Sequence, residues 1–396
     1  MLGPLPIPRT ARRLALARLI LAGLLPALPQ SATAQLMISG NENKIDLDSG
    51  AARTVPGANP DSLTLLDFSV FPPRVQHIDD IPNSVIGPPS NLAITPDNRH
   101  AIVADSLRLD PLDPSRWIPE STLRVVDLTL QPPRVVGEAR AGSQPSGLSI
   151  TPDGSRVLVA NRADGTVSLL RLDGPHLSHL QTVPVAAPED SVSDVAVHPN
   201  GRLVLASVQK GGYLAVLLLD GDTLRPTDRK VSVYGQPYRC VITPDGRLAL
   251  TAGQGHGNGL DPDAMSVIDL TVDPIRTHDY VALGAVPESI EIHPRGHLVA
   301  AVLMNGSNLG PADPLRTANG SLVLLRRQGN RFTVVQEVLI GRIPEGVAFS
   351  PDGRHLVVQC HPDRELWIYR VRGHRLRDTG IRIPTPGMPS SLRAGR

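Results

Sequence analysis

Asp194, Arg239, Glu288 and Glu345 stand one or two residues into corresponding segments of this chain, where other copies of the segment carry Ser, Gly or Asn. Three acids and one guanidinium brought together could hold a polar ligand. They could equally form a salt-bridged clasp, and spacing alone leaves both open. An Arg between Glu288 and Glu345 is expected to keep those carboxylates ionised. Around them should come the polar residues that end the following apolar segments: Asn161, Gln254, His256, Asn305, Gln359 and His361, with Asp105, Arg162, Gln209 and Lys210. No G-x-S-x-G elbow, H-E-x-x-H helix or phosphate-binding loop occurs. Gly253 to Gly259 has G-x-G spacing, but it follows a strand outside any βαβ unit and reads as a flexible loop around His256.

What must position these residues is a repeat. Six times an apolar strand runs into a Pro-centred turn and a second apolar strand follows, as in LSITPDGSRVLVAN from Leu148. The turn prolines are Pro96, Pro152, Pro199, Pro244, Pro294 and Pro351, at steps of 45 to 57 residues. In the unit from Pro145, short strands alternate with turns at Pro152-Asp153-Gly154, Asn161 to Gly165 and Asp173-Gly174. Four strands per unit of this length make one blade of a β-propeller, and no helical periodicity competes. A seventh unit is split. Leu36 to Leu47 reads as a strand, a turn at Asn41-Glu42-Asn43 and the start of another strand, continued by Leu63 to Ser69 and Arg74 to Ile78. This unit lacks an innermost strand, and Pro389-Ser390-Ser391-Leu392 copies Pro145-Ser146-Gly147-Leu148. The expected fold is therefore all-β: a seven-bladed β-propeller of four-stranded antiparallel blades, its ring closed by pairing of the N- and C-terminal segments.

Strand direction divides the molecule. The Pro-Asp-Gly turns share a lower face and are nearly alike, as structural turns should be. His198 and His293 there are expected to pack turns. The upper face varies from blade to blade and carries the polar residues named above. Three long loops, 106–121, 253–264 and 305–319, should form a partial lid over it, and their Asp and Asn residues read as turn chemistry.

Composition bounds the rest. The chain has 396 residues, 3% aromatics, 39 Pro and 35 Gly, so its core must be Val, Leu, Ile and Ala between short strands. Residues 1–34 read as an export signal: Arg9, Arg12, Arg13 and Arg18, an apolar run from Leu19 to Leu28, then Ser31-Ala32-Thr33-Ala34. The expected organisation is thus a signal at 1–34 and one propeller domain at 35–396, periplasmic or secreted, with no membrane span after signal removal. Without the four signal arginines the chain is slightly acidic, which excludes a nucleic-acid footprint. A monomer is expected, with an unidentified small molecule or exported protein as partner. Cys240 and Cys360 are read as separate buried thiols. Neither they nor the histidines have metal-ligand spacing, and no cofactor or metal is expected.

The recurrent P-x-x-[apolar]-x-[apolar]-[TSH]-P-D-G-[KR] segments, Leu158-Val159-Ala160-Asn161 and the third strands Thr166 to Leu170 and Ser266 to Leu270 resemble the YVTN and lactonase-like family of seven-bladed propellers. The resemblance covers the whole chain after the signal. It is specific for fold and poor for function, because this scaffold hosts lactone hydrolases, electron-transfer partners and binding proteins. With no catalytic signature, the first expectation is ligand or partner binding on the upper face. The resemblance implies a lactonase alternative. In it Glu288 or Glu345 would be general base, His256 or His361 a proton donor, and Arg239 the anchor for an oxyanion or substrate carboxylate. A third expectation is an accessory propeller for a periplasmic redox enzyme.

Overall fold

The computed structural model describes residues 1–3, 35–256 and 260–395. The chain divides into two units, Met1–Thr33 and Ala34–Arg396, and the second is the propeller. Nearly all of the expected export signal lies outside the described residues. Among those described, no helix is long and apolar enough to cross a membrane.

Seven four-stranded antiparallel sheets form the ring, and six of them are ordered from the channel outwards as the sequence runs. Blade 3 is the simplest case: Pro145–Ile150, Arg156–Asn161, Thr166–Asp173 and His176–Pro184. Blades 4 to 7 follow, with innermost strands Val192–Val197, Gln236–Ile242, Pro287–Ile292 and Pro344–Phe349. Blade 2 begins at Leu92–Ile94. Blade 1 is the closing blade: its innermost strand is Met388–Ala394, paired with Leu36–Glu42, then Ser62–Asp67 and Arg74–Asp79.

Alternation along the strands produces the core. In blade 4, Val204, Ala206 and Val208 face the blade 3 side and pack with Leu158, Ala160 and Val167, while Leu205 joins Ala249 and Ile268 on the blade 5 side. Each such fully buried Leu or Val contributes about 1.5–3 kcal/mol over its exposed state. Both cysteines are unpaired and buried within these interfaces.

The lower turns are built as their sequences require. Asp153 Oδ1 accepts from Thr151 Oγ1 at 2.5 Å and from Ser155 N at 3.1 Å, and Gly154 takes φ +75°. Asp153 is held near pKa 2, first by the Ser155 and Thr151 hydroxyls. Where His replaces Thr, the imidazole does the same work and more. His198 Nδ1 accepts from Asn200 N, and its Nε2 donates to Gly246 O in the next blade at 2.8 Å. His293 repeats the arrangement with Arg295 N and Gly353 O.

One expectation fails in blade 1. Glu42 is not in a turn; it is the last residue of the strand Leu36–Glu42, paired with Met388. The chain does not turn directly into the third strand. Residues 43–61 make an excursion that includes a short hairpin, Ile45–Asp46 with Arg53–Thr54.

The ring should depend on its closing strand. Leu392 is fully buried between blades 1 and 7. Leu392→Ala should therefore lose about 2–5 kcal/mol, and deletion of 389–396 should remove cooperative unfolding in a thermal melt; an unchanged melting midpoint for the deletion would contradict ring closure.

Candidate functional site

The upper mouth of the channel holds a pocket of about 230 Å³ whose lining includes Glu42, Tyr238, Glu288 and Glu345. Three of these come from one structural position. Tyr238, Glu288 and Glu345 each follow the proline that opens an innermost strand, in blades 5, 6 and 7. Glu42 arrives from the end of the second strand of blade 1, the neighbour of blade 7.

Glu42 and Glu345 are buried and Glu288 is half-buried. Burial drives all three carboxyls above their ordinary values. Glu345 is pushed up to about 8 by burial. Glu288 is raised by burial and then by Glu345, against the charge of Arg162 and the hydrogen bond to Tyr238. Glu42 is raised by burial, then by Asp61 and Glu345, with Lys44 opposing. Tyr238 is raised by burial and then by Glu288. Glu42 Oε2 has no hydrogen-bond partner, and neither has Nη1 of Arg162. The site is thus a cluster of three carboxyls raised by burial, Glu345 to about 8, with one phenol and one nearby guanidinium. Among the described residues no group of His, Cys, Asp or Glu takes a metal-holding arrangement.

Two of the four charged positions singled out in the sequence do not belong to this cluster. Arg239 does not stand between Glu288 and Glu345. Arg239 is the second residue after its proline, the position of Ser289 and Gly346, and Tyr238 takes the mouth position that Glu288 and Glu345 hold in their blades. Arg239 is fully buried; its Nη2 donates to Glu291 Oε2 at 2.5 Å and its Nη1 to Ser289 Oγ at 3.2 Å. It therefore leaves Glu288 and Glu345 unneutralised, the opposite of the expected effect. Asp194 is also enclosed elsewhere. Its Oδ1 accepts from Ser90 Oγ at 3.0 Å and its Oδ2 from Cys240 N at 2.9 Å. It passes over Gly147, where any Cβ would collide with it.

Most of the expected polar ring is internal. Asn161 Nδ2 donates to Thr166 and Ser168, both at 2.9 Å, and its Oδ1 accepts from Gly142 N at 3.0 Å. Asn305 staples blade 6 in the same way, through Ala285 N and Ser321 Oγ. Gln359 is buried, donates to Ser39 Oγ and Ser391 O, and accepts from Gly346 N. These groups are occupied by backbone and hydroxyl partners and do not face a ligand. His361 is buried with Nδ1 at 3.3 Å from Pro389 O, and burial depresses it to about 4. It is neutral at neutral pH and does not serve as a ready proton donor. Gln254 and His256 stand exposed on the 253–264 loop, outside the pocket lining.

Sequence reasoning missed Glu42. The strand register supplies the signal: Asn41 pairs with Pro389 as Asn161 pairs with Pro145 and Cys360 with Pro344. Glu42 is thus the blade 1 counterpart of Arg162 and His361. Also missed was the cover. Leu47, Gly50, Ala51 and Ala52, in the blade 1 excursion, line the glutamate pocket. Asp48 fixes this strap by pairing at 2.8 Å with both Arg316 and Arg342, and Arg342 also reaches Asp363 at 3.2 Å. Of the loops expected to form a lid, 305–319 meets the strap, with Gly50 close against the backbone of Gly310. Loop 106–121 is largely an extension of the strands His100–Leu109 and Trp117–Asp127.

No family model matches the chain, and no curated protein matches it. Solved structures do. A candidate 6-phosphogluconolactonase of Bacteroides fragilis superposes with a TM-score of 0.69 at 13% identity, over 93% of this chain and 99% of that one. The periplasmic gluconolactonase PpgL of Pseudomonas aeruginosa gives 0.62 at 16%, over 91% and 99%. Hydrazine synthase of Kuenenia stuttgartiensis gives 0.61 at 17%, over 78% and 90%. The likeness is one of fold. It supports the propeller resemblance at the level of architecture and not of family.

Two consequences are measurable. A carboxyl whose folded pKa is raised stabilises the protein below its unfolded value, and that stability is lost as pH rises through the folded value. For Glu345 the window runs from its ordinary 4.5 to about 8. Melting midpoints should fall across that window and fall less in Glu345→Gln; an equal slope in both proteins would contradict the assignment. Separately, Asp48→Ala should speed tryptic cleavage after Arg53 several-fold while shifting global stability by no more than about 1 kcal/mol. An unchanged cleavage rate would show that the ion pairs do not hold the strap.

Proposed function

We propose that the mouth pocket binds a small, uncharged, hydroxyl-rich lactone and opens it with water. The observation that carries this reading is the convergence of Glu42, Glu288 and Glu345 around one covered pocket, with none of them in an ion pair among the described residues. Protonated and ionised carboxyls side by side offer donors and acceptors to hydroxyl groups. Two such groups with shared protons also provide an acid and a base in one place.

In the chemistry this permits, one carboxylate of the Glu288–Glu345 pair takes a proton from water as the water oxygen bonds to the acyl carbon. Tyr238, which donates to Glu288, turns its hydroxyl to the developing oxyanion as Glu288 gives up or takes its proton. As the acyl–oxygen bond of the ring breaks, the protonated partner gives its proton to the leaving ring oxygen. The product is the open hydroxy acid, and the two glutamates have exchanged roles. The strap that carries Leu47 to Ala52 limits water entry around the ligand.

The gluconolactonase and candidate 6-phosphogluconolactonase among the fold neighbours favour lactone over other esters. Export is part of the reading: it rests on the basic, apolar and small-residue pattern of residues 1–34. The PpgL neighbour is itself described as periplasmic.

The test is hydrolysis of a lactone panel, beginning with glucono-δ-lactone, by the purified chain. Glu288→Gln and Glu345→Gln should each lower kcat/KM by about 10²–10⁴. Turnover unchanged in both variants would overturn the mechanism. Saturable binding without turnover would instead favour a non-catalytic ligand-binding propeller.

A further inference from the structure

A second cleft, of about 500 Å³, opens beside the glutamate pocket and is lined by Ala52, Arg53, Thr54, Ser115, Arg116 and Trp117. Ala52 lines both cavities, so the short hairpin of the strap belongs to each. The facing wall is the tip of the long blade 2 hairpin.

The two walls each bring one arginine. Arg53 and Arg116 are exposed, and neither guanidinium is in an ion pair among the described residues. This is not the general state of that hairpin, since Arg108 pairs with Glu120 at 2.7 Å. The acid nearest in sequence to Arg116 is Asp113, whose Oδ1 already accepts from Ser115 N and Oγ. Those bonds hold Asp113 low, and the charge of Arg116 adds to them. Between the arginines the half-buried Trp117 completes the lining.

We propose that this cleft is a separate binding site for a ring-bearing anion, a sugar carrying a carboxylate or a phosphate. Guanidinium forks match either oxyanion, and an indole offers an apolar face to a sugar ring. The volume is that of a small-molecule site. The site is chemically distinct from the glutamate pocket, which would repel an anion once its carboxyls ionise.

Trp117 provides the readout. The other tryptophan, Trp367, lies under Arg382 at 3.8 Å from guanidinium carbon to ring centre, and Trp367→Phe leaves Trp117 as sole reporter. The full chain is titrated with glucuronate, glucose 6-phosphate and glucose, following Trp117 fluorescence. Saturation by either anionic sugar and not by glucose supports the site, and the tighter of the two names the anion. Arg53→Ala with Arg116→Ala should weaken that binding by about tenfold or more, while Glu345→Gln should leave it unchanged. Loss of lactone turnover in Glu345→Gln therefore does not bear on this site. Equal binding of glucose, no saturation by either anion, or unaltered affinity in the double variant would overturn it.

Discussion

The antiparallel pairing of Leu36–Glu42 with Met388–Ala394 is the constraint on which the rest depends. It completes blade 1 and buries the apolar faces of blades 1 and 7 against each other, which an open array would expose. It also sets the composition of the channel mouth. Pairing Glu42 with Met388 brings a carboxyl from the start of the chain beside Glu345, which lies some three hundred residues later. The same strand releases the excursion 43–61, which begins at the anchored pair Lys44–Asp61 (2.6 Å) and supplies the strap over the glutamates. Closure and site are therefore one construction.

Electrostatics in the mouth follow from where cations are absent. Arg239, the basic residue among the innermost-strand openings, is committed to Glu291 lower in the channel. Burial and neighbouring carboxylates raise Glu42 and Glu288, burial raises Glu345, and the charges of Lys44 and Arg162 oppose the rise of Glu42 and Glu288 more weakly. Had Arg239 reached the mouth, the same carboxyls would be fixed anions, suited to a structural clasp and poorly suited to exchanging protons. A one-residue difference in position after the strand-opening proline, Tyr238 against Arg239, decides between these outcomes.

The fold was legible because its signal is redundant: six copies of a strand–Pro turn–strand segment and a partial seventh all require the same geometry. The placement of Glu288 and Glu345 was legible too, since both follow a strand-opening proline. Arg239 was misread because it stands two residues past its proline, whereas Glu288 and Glu345 stand one past theirs, and neighbouring strand residues face opposite sides. Asn161, Asn305 and Gln359 were misread because a polar residue at a strand end looks alike whether it faces solvent or staples the neighbouring strand. Glu42 escaped because the excursion 43–61 interrupts its blade and disguises a strand end as a turn. The cleft of Arg53, Arg116 and Trp117 joins two second-to-third-strand insertions whose sequences differ from those of the other blades, so the repeat logic could not bring them together.

The central claim is that the channel mouth holds protonated carboxyl groups at neutral pH. Infrared difference spectroscopy of the protonated-carboxyl stretch, followed from about pH 5 to about pH 9, addresses it directly. The structure predicts a carboxylic-acid band that persists at neutral pH, declines around pH 8 and loses intensity in Glu345→Gln. Complete loss of that band by about pH 6, as ordinary carboxyls would show, would contradict the account.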